Sequence, residues 1–209
     1  MNTRLILASI CVLASLSASA EPRRPITDRT WPTDPAQPQV CLWRDDKLAA
    51  CTITIDDNHP EDHAFWLAQG DATGWRWTWF VIAGKVGTAT NWGTWDDFRQ
   101  LHAAGHDIQS HSVQHLGYGK AAPLTIEQEY ADSRAIIERE IPGSPCLTLA
   151  YPNGYQPPND SAVAARFYLA CRGVKGVPNP ADQTDYRNVN SVSGAAGFLE
   201  PAKHWASFE

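Results

Sequence analysis

The chain has 209 residues, which bounds it to one ordinary domain or one small α/β barrel. Hydrophobic residues at 43% and charged residues at 19% describe a globular composition, and a formal net charge of -6 argues against a nucleic-acid partner gripped through its phosphates. Nine tryptophans are many for this length; they are either core residues or, in an exported protein, platforms for sugar stacking.

Residues 1–20 have the order of a secretory signal: a positive charge at Arg4, an apolar stretch from Leu5 to Leu16, and small residues at Ala18-Ser19-Ala20. The expectation is an exported protein, periplasmic or secreted, that begins at Glu21. The apolar stretch is shorter than the ~20 residues of a membrane span, so no span is expected. Cys11 follows Ile10 rather than a small residue, which favours cleavage over lipidation. Cys41, Cys51, Cys146 and Cys171 then remain. Disulfides pairing Cys41 with Cys51 and Cys146 with Cys171 are one option, buried thiols another; no Cys-x-x-Cys supports a metal site.

Residues 21–39 carry Pro22, Pro25, Pro32, Pro35 and Pro38, a composition that sustains neither helix nor strand and predicts an extended leader. The folded domain is expected over residues 40–209. Ala49 to Ile55 predicts a first strand ending in an Asp pair. A helix follows from Pro60, stopped by Gly70. Trp75 to Ala83 predicts a second strand, and Thr94 caps a helix from Trp95 to Ala104, closed by Gly105. His106 to Ser110 is a short third strand. Thr125 and Gln128 are spaced as a capping box for a helix to Glu140. Cys146 to Ala150 is a fourth strand, Asp160 to Ala170 a further helix, and Gly173 to Pro180 loop or short strand. A last helix starts at Pro201, with no strand after it. Alternating strands and helices predict an α/β protein with a parallel sheet, either a barrel or a doubly wound sheet.

Two patterns carry chemistry. His111 and His115, four residues apart, can reach one metal ion or can be two polar loop histidines. Asp56 and Asp57 at a strand end are either solvated and capping, or separated in role by a cation. Together they make a coherent set. Two imidazoles and one carboxylate leave a divalent ion open to water and substrate, and the second carboxylate can take a proton.

At these residues the sequence resembles the polysaccharide deacetylase family, the NodB-like carbohydrate esterases, from about Ala49 to Val177. Thr54-Ile55-Asp56-Asp57 is similar to the family's T-F-D-D, Thr78-Trp79-Phe80-Val81 to its second strand, and Gly105 to His115 to its G-H-E-I-x-x-H-S-x-x-H. The resemblance implies a distorted parallel (β/α) barrel and a metal-dependent hydrolase that removes acetyl groups from a polysaccharide or oligosaccharide. It implies Asp56 as base and Asp57, His111 and His115 as ligands, with Zn2+ first among the ions that set admits.

The family's R-P-P-Y-G motif stands here as Ala150-Tyr151-Pro152-Asn153-Gly154, without its arginine. The resemblance implies substrate contacts from Tyr151, Pro152 and Asn153, the Asn153 N–H helping to hold the oxyanion; the same composition also forms a plain turn. The family's late strand bearing a histidine acid has no counterpart, and His204 sits in a polar, helical setting. The expectation is therefore a barrel lacking its C-terminal strands, with a weakly active or inactive metal-bearing carbohydrate-binding protein or a truncated gene product as the alternative, and hydrolysis of a small amide or non-sugar ester as a third reading. Trp75, Trp77, Trp92, Trp95 and Tyr118 are the candidate aromatic lining; the glycan itself is not readable.

Overall fold

The computed structural model describes residues 47, 50–116, 125–154, 158–180 and 184–192, with the backbone alone at 158–160. Five short strands, β1 (Thr54–Asp56), β2 (Thr78–Val81), β3 (Asp107–Ser110), β4 (Thr148–Ala150) and β5 (Ala170–Arg172), pair in parallel in their sequence order. Between them run α1 (His63–Thr73), α2 (Trp95–Ala103), α3 (Ile126–Glu140) and α4 (Pro158–Ala164). A doubly wound sheet reverses its strand order at a switch point; this one never does, so the winding is that of a (β/α) barrel, of which five strands are seen. Beyond β5 the segment 186–191 runs alongside in parallel: Cys171 N–H donates to Tyr186 O at 2.7 Å, Val189 N–H to Cys171 O at 2.7 Å and Gly173 N–H to Val189 O at 2.9 Å.

The core lies between the sheet and its helices. Trp79, Val81, Ile108 and Leu149 come from the strands, Phe98 and Leu101 from α2, and Ile137 from α3, each fully buried. At roughly 1.5–3 kcal/mol per large apolar side chain removed from water, these seven are a main source of stability. The expected capping box at Thr125 forms, and the expected cap at Thr94 is a capping box as well, closed by Asp97. Asp97 N–H donates to Thr94 Oγ1 (3.3 Å) and Thr94 N–H to Asp97 Oδ2 (2.7 Å); Gln128 N–H donates to Thr125 Oγ1 (3.2 Å) and Thr125 N–H to Gln128 Oε1 (2.9 Å).

Strands β3 and β4 share a single register pair, Ser110 with Leu149. The buried Gln109 side chain extends their contact: its Oε1 accepts from the N–H groups of Leu147 and Thr148, both at 2.7 Å, and its Nε2 donates to Pro145 O at 3.1 Å.

Several boundaries differ from the sequence reading. Gly70 does not stop the first helix, which runs to Thr73 and ends at Gly74 (φ 72°), whose N–H returns to Gly70 O at 2.9 Å. Gly70 is there for close approach, since a Cβ on it would stand 3.0 Å from His106 Cε1. The helix expected to reach Ala170 ends at Ala164. Its last turn tightens through Phe167 N–H to Ala164 O (3.0 Å), and Leu169 N–H then joins Leu147 O (2.8 Å), so Ala170–Arg172 enters the sheet as β5.

Cys51, Cys146 and Cys171 are free, so the Cys146–Cys171 disulfide is not formed. Burial pushes the Cys146 thiol up to about 12 and that of Cys171 to about 11, which makes both inert, small core residues. Cys41, the leader, Tyr118, the helix expected at Pro201 and His204 lie outside the described residues.

Candidate functional site

In parallel α/β folds the loops at the carboxyl ends of the strands gather the functional side chains, and here three of them converge. β1 delivers Asp56 and then Asp57, β3 delivers His111, and β4 delivers Tyr151. Along a strand, Asp56 and Asp57 would point to opposite faces. A φ of 67° at Asp57 breaks that alternation. Asn58, fully buried, pins the turn to the end of β2: Ile82 N–H donates to its Oδ1 at 2.8 Å, and its Nδ2 donates to Ile82 O at 3.1 Å.

Asp57 Oδ1 lies 3.8 Å from Nε2 of both His111 and His115. One ligand atom from each residue falls within 4.8 Å of the others. The distances are too long for hydrogen bonds, and close to the roughly 3.3–3.5 Å that separates tetrahedral ligands set about 2.0–2.1 Å from zinc. His111 is 2% exposed, and its Nδ1 donates to Ala150 O at 2.8 Å. That bond selects the Nδ1–H tautomer and leaves the Nε2 lone pair facing Asp57. Burial holds the His111 imidazole below its ordinary value, against the opposing charge of Asp56, so the ring is kept neutral. The nitrogen, nitrogen and oxygen donor set with a preset tautomer fits a divalent ion.

Asp56 is held from across the sheet. Arg172 of β5 brings one terminal guanidinium nitrogen against both carboxylate oxygens, while the guanidinium carbon rests 5.3 Å from the centre of the Phe80 ring. The arginine missing from the β4 motif is thus supplied one strand later. Nothing in the local pattern announced it, because Arg172 lies where the sequence suggested the end of a helix. Asn58, in contrast, stands directly after the Asp pair and is legible as a turn-forming residue.

The four non-glycine residues with positive φ are Asp57 (67°), Ser112 (65°), His115 (56°) and Asn153 (58°), all at this end of the sheet among the described residues. Such conformations cost roughly 1–3 kcal/mol each and persist where surrounding contacts over-determine them.

The β4 loop corrects one expectation. Tyr151 is fully buried, with its hydroxyl donating to Arg187 O at 2.8 Å, and Pro152 is buried beside it, so neither lines an open groove. Asn153 is exposed. Among the tryptophans, Trp77 is a core residue whose Nε1 donates to Trp66 O at 2.8 Å. Trp75 is exposed but precedes β2, at the opposite end of the strands from Asp57. Trp92 and Trp95, half-buried, follow β2 on the side of the site. His59 is partly exposed, its Nε2 3.9 Å from Asp57 Oδ2 and its Nδ1 3.3 Å from Glu61 Oε1. His63 packs edge-on against Trp79 and Phe98, and His106 accepts from Trp77 N–H at 3.1 Å.

A singly wound parallel sheet with two carboxylates and two imidazoles at its carboxyl end defines a hydrolase-like α/β site, and the family comparison agrees. The polysaccharide deacetylase family model matches residues 45–170, and the chain belongs to that family. It is 39% identical over 185 residues to a gellan lyase from a Bacillus species, covering 88% of this chain and 7% of that protein. Among solved structures it is similar to the Streptococcus pyogenes deacetylase PplD in complex with acetate, at 20% identity over 68% of this chain and 62% of that one, with a TM-score of 0.61. IcaB from Ammonifex degensii superposes at 18% identity, covering 75% and 72%, with a TM-score of 0.62. At these identities the structures speak for the fold. The chain spans a small fraction of the gellan lyase and under two thirds of PplD.

Proposed function

We propose that this chain is a metal-dependent hydrolase that removes acetyl groups from a polysaccharide or oligosaccharide. The observation that carries the reading is the convergence of Asp57, His111 and His115 within 4.8 Å, beside an Asp56 carboxylate that is held separately by Arg172. Asp57, His111 and His115 would hold a divalent ion, zinc by its donors, which when bound would act as a Lewis acid toward water and an acyl carbonyl. Asp56 takes the proton of the attacking water as general base. Arg172 keeps the Asp56 carboxylate aimed and away from the three ligands. His111, its Nδ1–H committed to Ala150 O, keeps Nε2 unprotonated. Asn153, exposed in the loop that follows β4, offers its peptide N–H as the oxyanion donor.

Water adds to the acetyl carbon as its proton passes to Asp56, the bond from that carbon to nitrogen or oxygen breaks, and the proton held on Asp56 goes to the departing amine or hydroxyl, leaving acetate. Polysaccharide as the substrate class rests on the family and on the name of the Bacillus relative. Residues 1–20 direct export, so the reaction takes place in the periplasm or outside the cell, in a domain spanning 40–209 behind the leader 21–39.

The test is metal content together with acetate release from N-acetylglucosamine oligomers, beside an Asp57→Ala, His111→Ala double variant. One ion per chain, with acetate release that a chelator abolishes and the double variant lacks, supports the reading. A bound ion without acetate from any acetylated glycan assigns a carbohydrate-binding role instead, and no ion at all removes the site.

A further inference from the structure

Helix α3 reads as an ordinary amphipathic helix, yet it buries two polar side chains, Glu129 (2% exposed) and Ser133 (fully buried). They are four residues apart and so share one helix face. That face meets the loop carrying both histidines. Glu129 Oε2 accepts from the N–H groups of Val113 and Gln114, both at 2.9 Å. Ser133 Oγ lies 2.8 Å from Ser110 Oγ, which accepts Ser112 N–H at 3.2 Å, and Ser112 Oγ accepts His115 N–H at 3.0 Å. His111 N–H is taken by Val81 O at 2.9 Å. From Ser112 to His115, then, every peptide N–H is bound by a side chain rather than by the backbone.

Side-chain acceptors of this kind select one loop conformation, and the one selected includes two non-glycine residues at positive φ, Ser112 and His115. Glu129 makes the largest contribution, accepting two of the four. Its Oε1 has no hydrogen-bond partner among the described residues, so the buried carboxyl is engaged by the loop through Oε2 alone.

We propose that Glu129 is a positioning residue of the metal centre: its carboxyl oxygen holds the 112–114 turn so that His111 and His115 present Nε2 to the same ion. This rests on the metal reading of Asp57, His111 and His115 given above. Outer groups that orient ligands are worth roughly 10–100-fold in metal affinity.

The test is titration of the whole chain with zinc and with cobalt(II), alongside melting of the metal-free protein, for the wild type, His111→Ala, Glu129→Ala, Glu129→Gln and Glu129→Asp. Glu129→Gln keeps an acceptor oxygen at the same reach and is expected to bind within a few-fold of the wild type. Glu129→Asp keeps the carboxyl but withdraws it by one methylene, and Glu129→Ala removes it. Both are expected to lose about 10–100-fold in affinity and to alter the cobalt absorption spectrum. Wild-type affinity and spectrum in Glu129→Ala would overturn the assignment. So would a Glu129→Asp that binds normally beside a Glu129→Gln that does not, a contrast that decides the matter even if Glu129→Ala fails to fold. A wild type that binds no ion, or a His111→Ala that binds as tightly, would instead remove the metal reading on which the assignment stands.

Discussion

Arg172→Met isolates the contact between β5 and Asp56. In the wild type one guanidinium nitrogen serves both oxygens of Asp56, with the Arg172 side chain 12% exposed and that of Asp56 35% exposed. A hydrogen bond to a charged group contributes about 1.5–3 kcal/mol when buried. Asp56 is a third open to water, so solvent replaces part of it, and the lower end, about 1.5–2 kcal/mol, applies. If that free energy serves to aim the base, its loss corresponds to roughly a 10–30-fold slower chemical step. Met retains the packing against Phe80, so the fold should survive. Steady-state acetate release should show kcat falling while KM changes little, because aiming the base matters in the transition state more than in binding. Zinc stoichiometry should be unchanged, since Arg172 touches none of the three ligand residues. Arg172→Lys, a point charge on a shorter reach, should recover part of the loss. An Arg172→Met protein that is folded, metal-loaded and as fast as the wild type would refute the reasoning, as would a loss traced to missing metal.

Two further changes probe the frame around the site. Asn58→Ala deletes both bonds to Ile82 and leaves its buried N–H unpaired, while Ile82 O keeps the Lys85 N–H at 3.0 Å, so we expect about 1–3 kcal/mol of destabilisation in denaturant unfolding; a change below about 0.5 kcal/mol would show that the tie is dispensable. His106, held below its ordinary value of 6.5 by burial and then by the charge of Arg76, must stay neutral for its Nδ1 to accept Trp77 N–H. Because its folded pKa is depressed, its contribution is fully present above pH 6.5 and is lost as pH falls through the folded value. His63, also lowered by burial, acts in the same direction. His106→Asn, which can keep an acceptor near the Trp77 N–H, should flatten the loss of stability between pH 7 and about pH 5. An unchanged slope would remove His106 as a source of acid lability.

Local patterns were enough to locate the Asp56–Asp57 pair at a strand end, the His111–His115 spacing, and the two helix starts at Thr94 and Thr125. Each depends on chemistry within four residues: a capping hydroxyl, a strand terminus, one turn of chain. Register and partnership depend on which strands become neighbours. The sequence allowed both a barrel and a doubly wound sheet on residue pattern alone, and the sequential strand order decided between them. Arg172 meets Asp56 across 116 residues of chain, and Glu129 meets the histidine loop from a helix whose pattern shows only amphipathicity. Tyr151, assigned to substrate from its motif, is buried because its hydroxyl finds the carbonyl of Arg187 in the segment that covers β5. The candidate site residues are thus written in short stretches of sequence, whereas the orientation of the proposed base and ligands comes from side chains that only folding brings into reach.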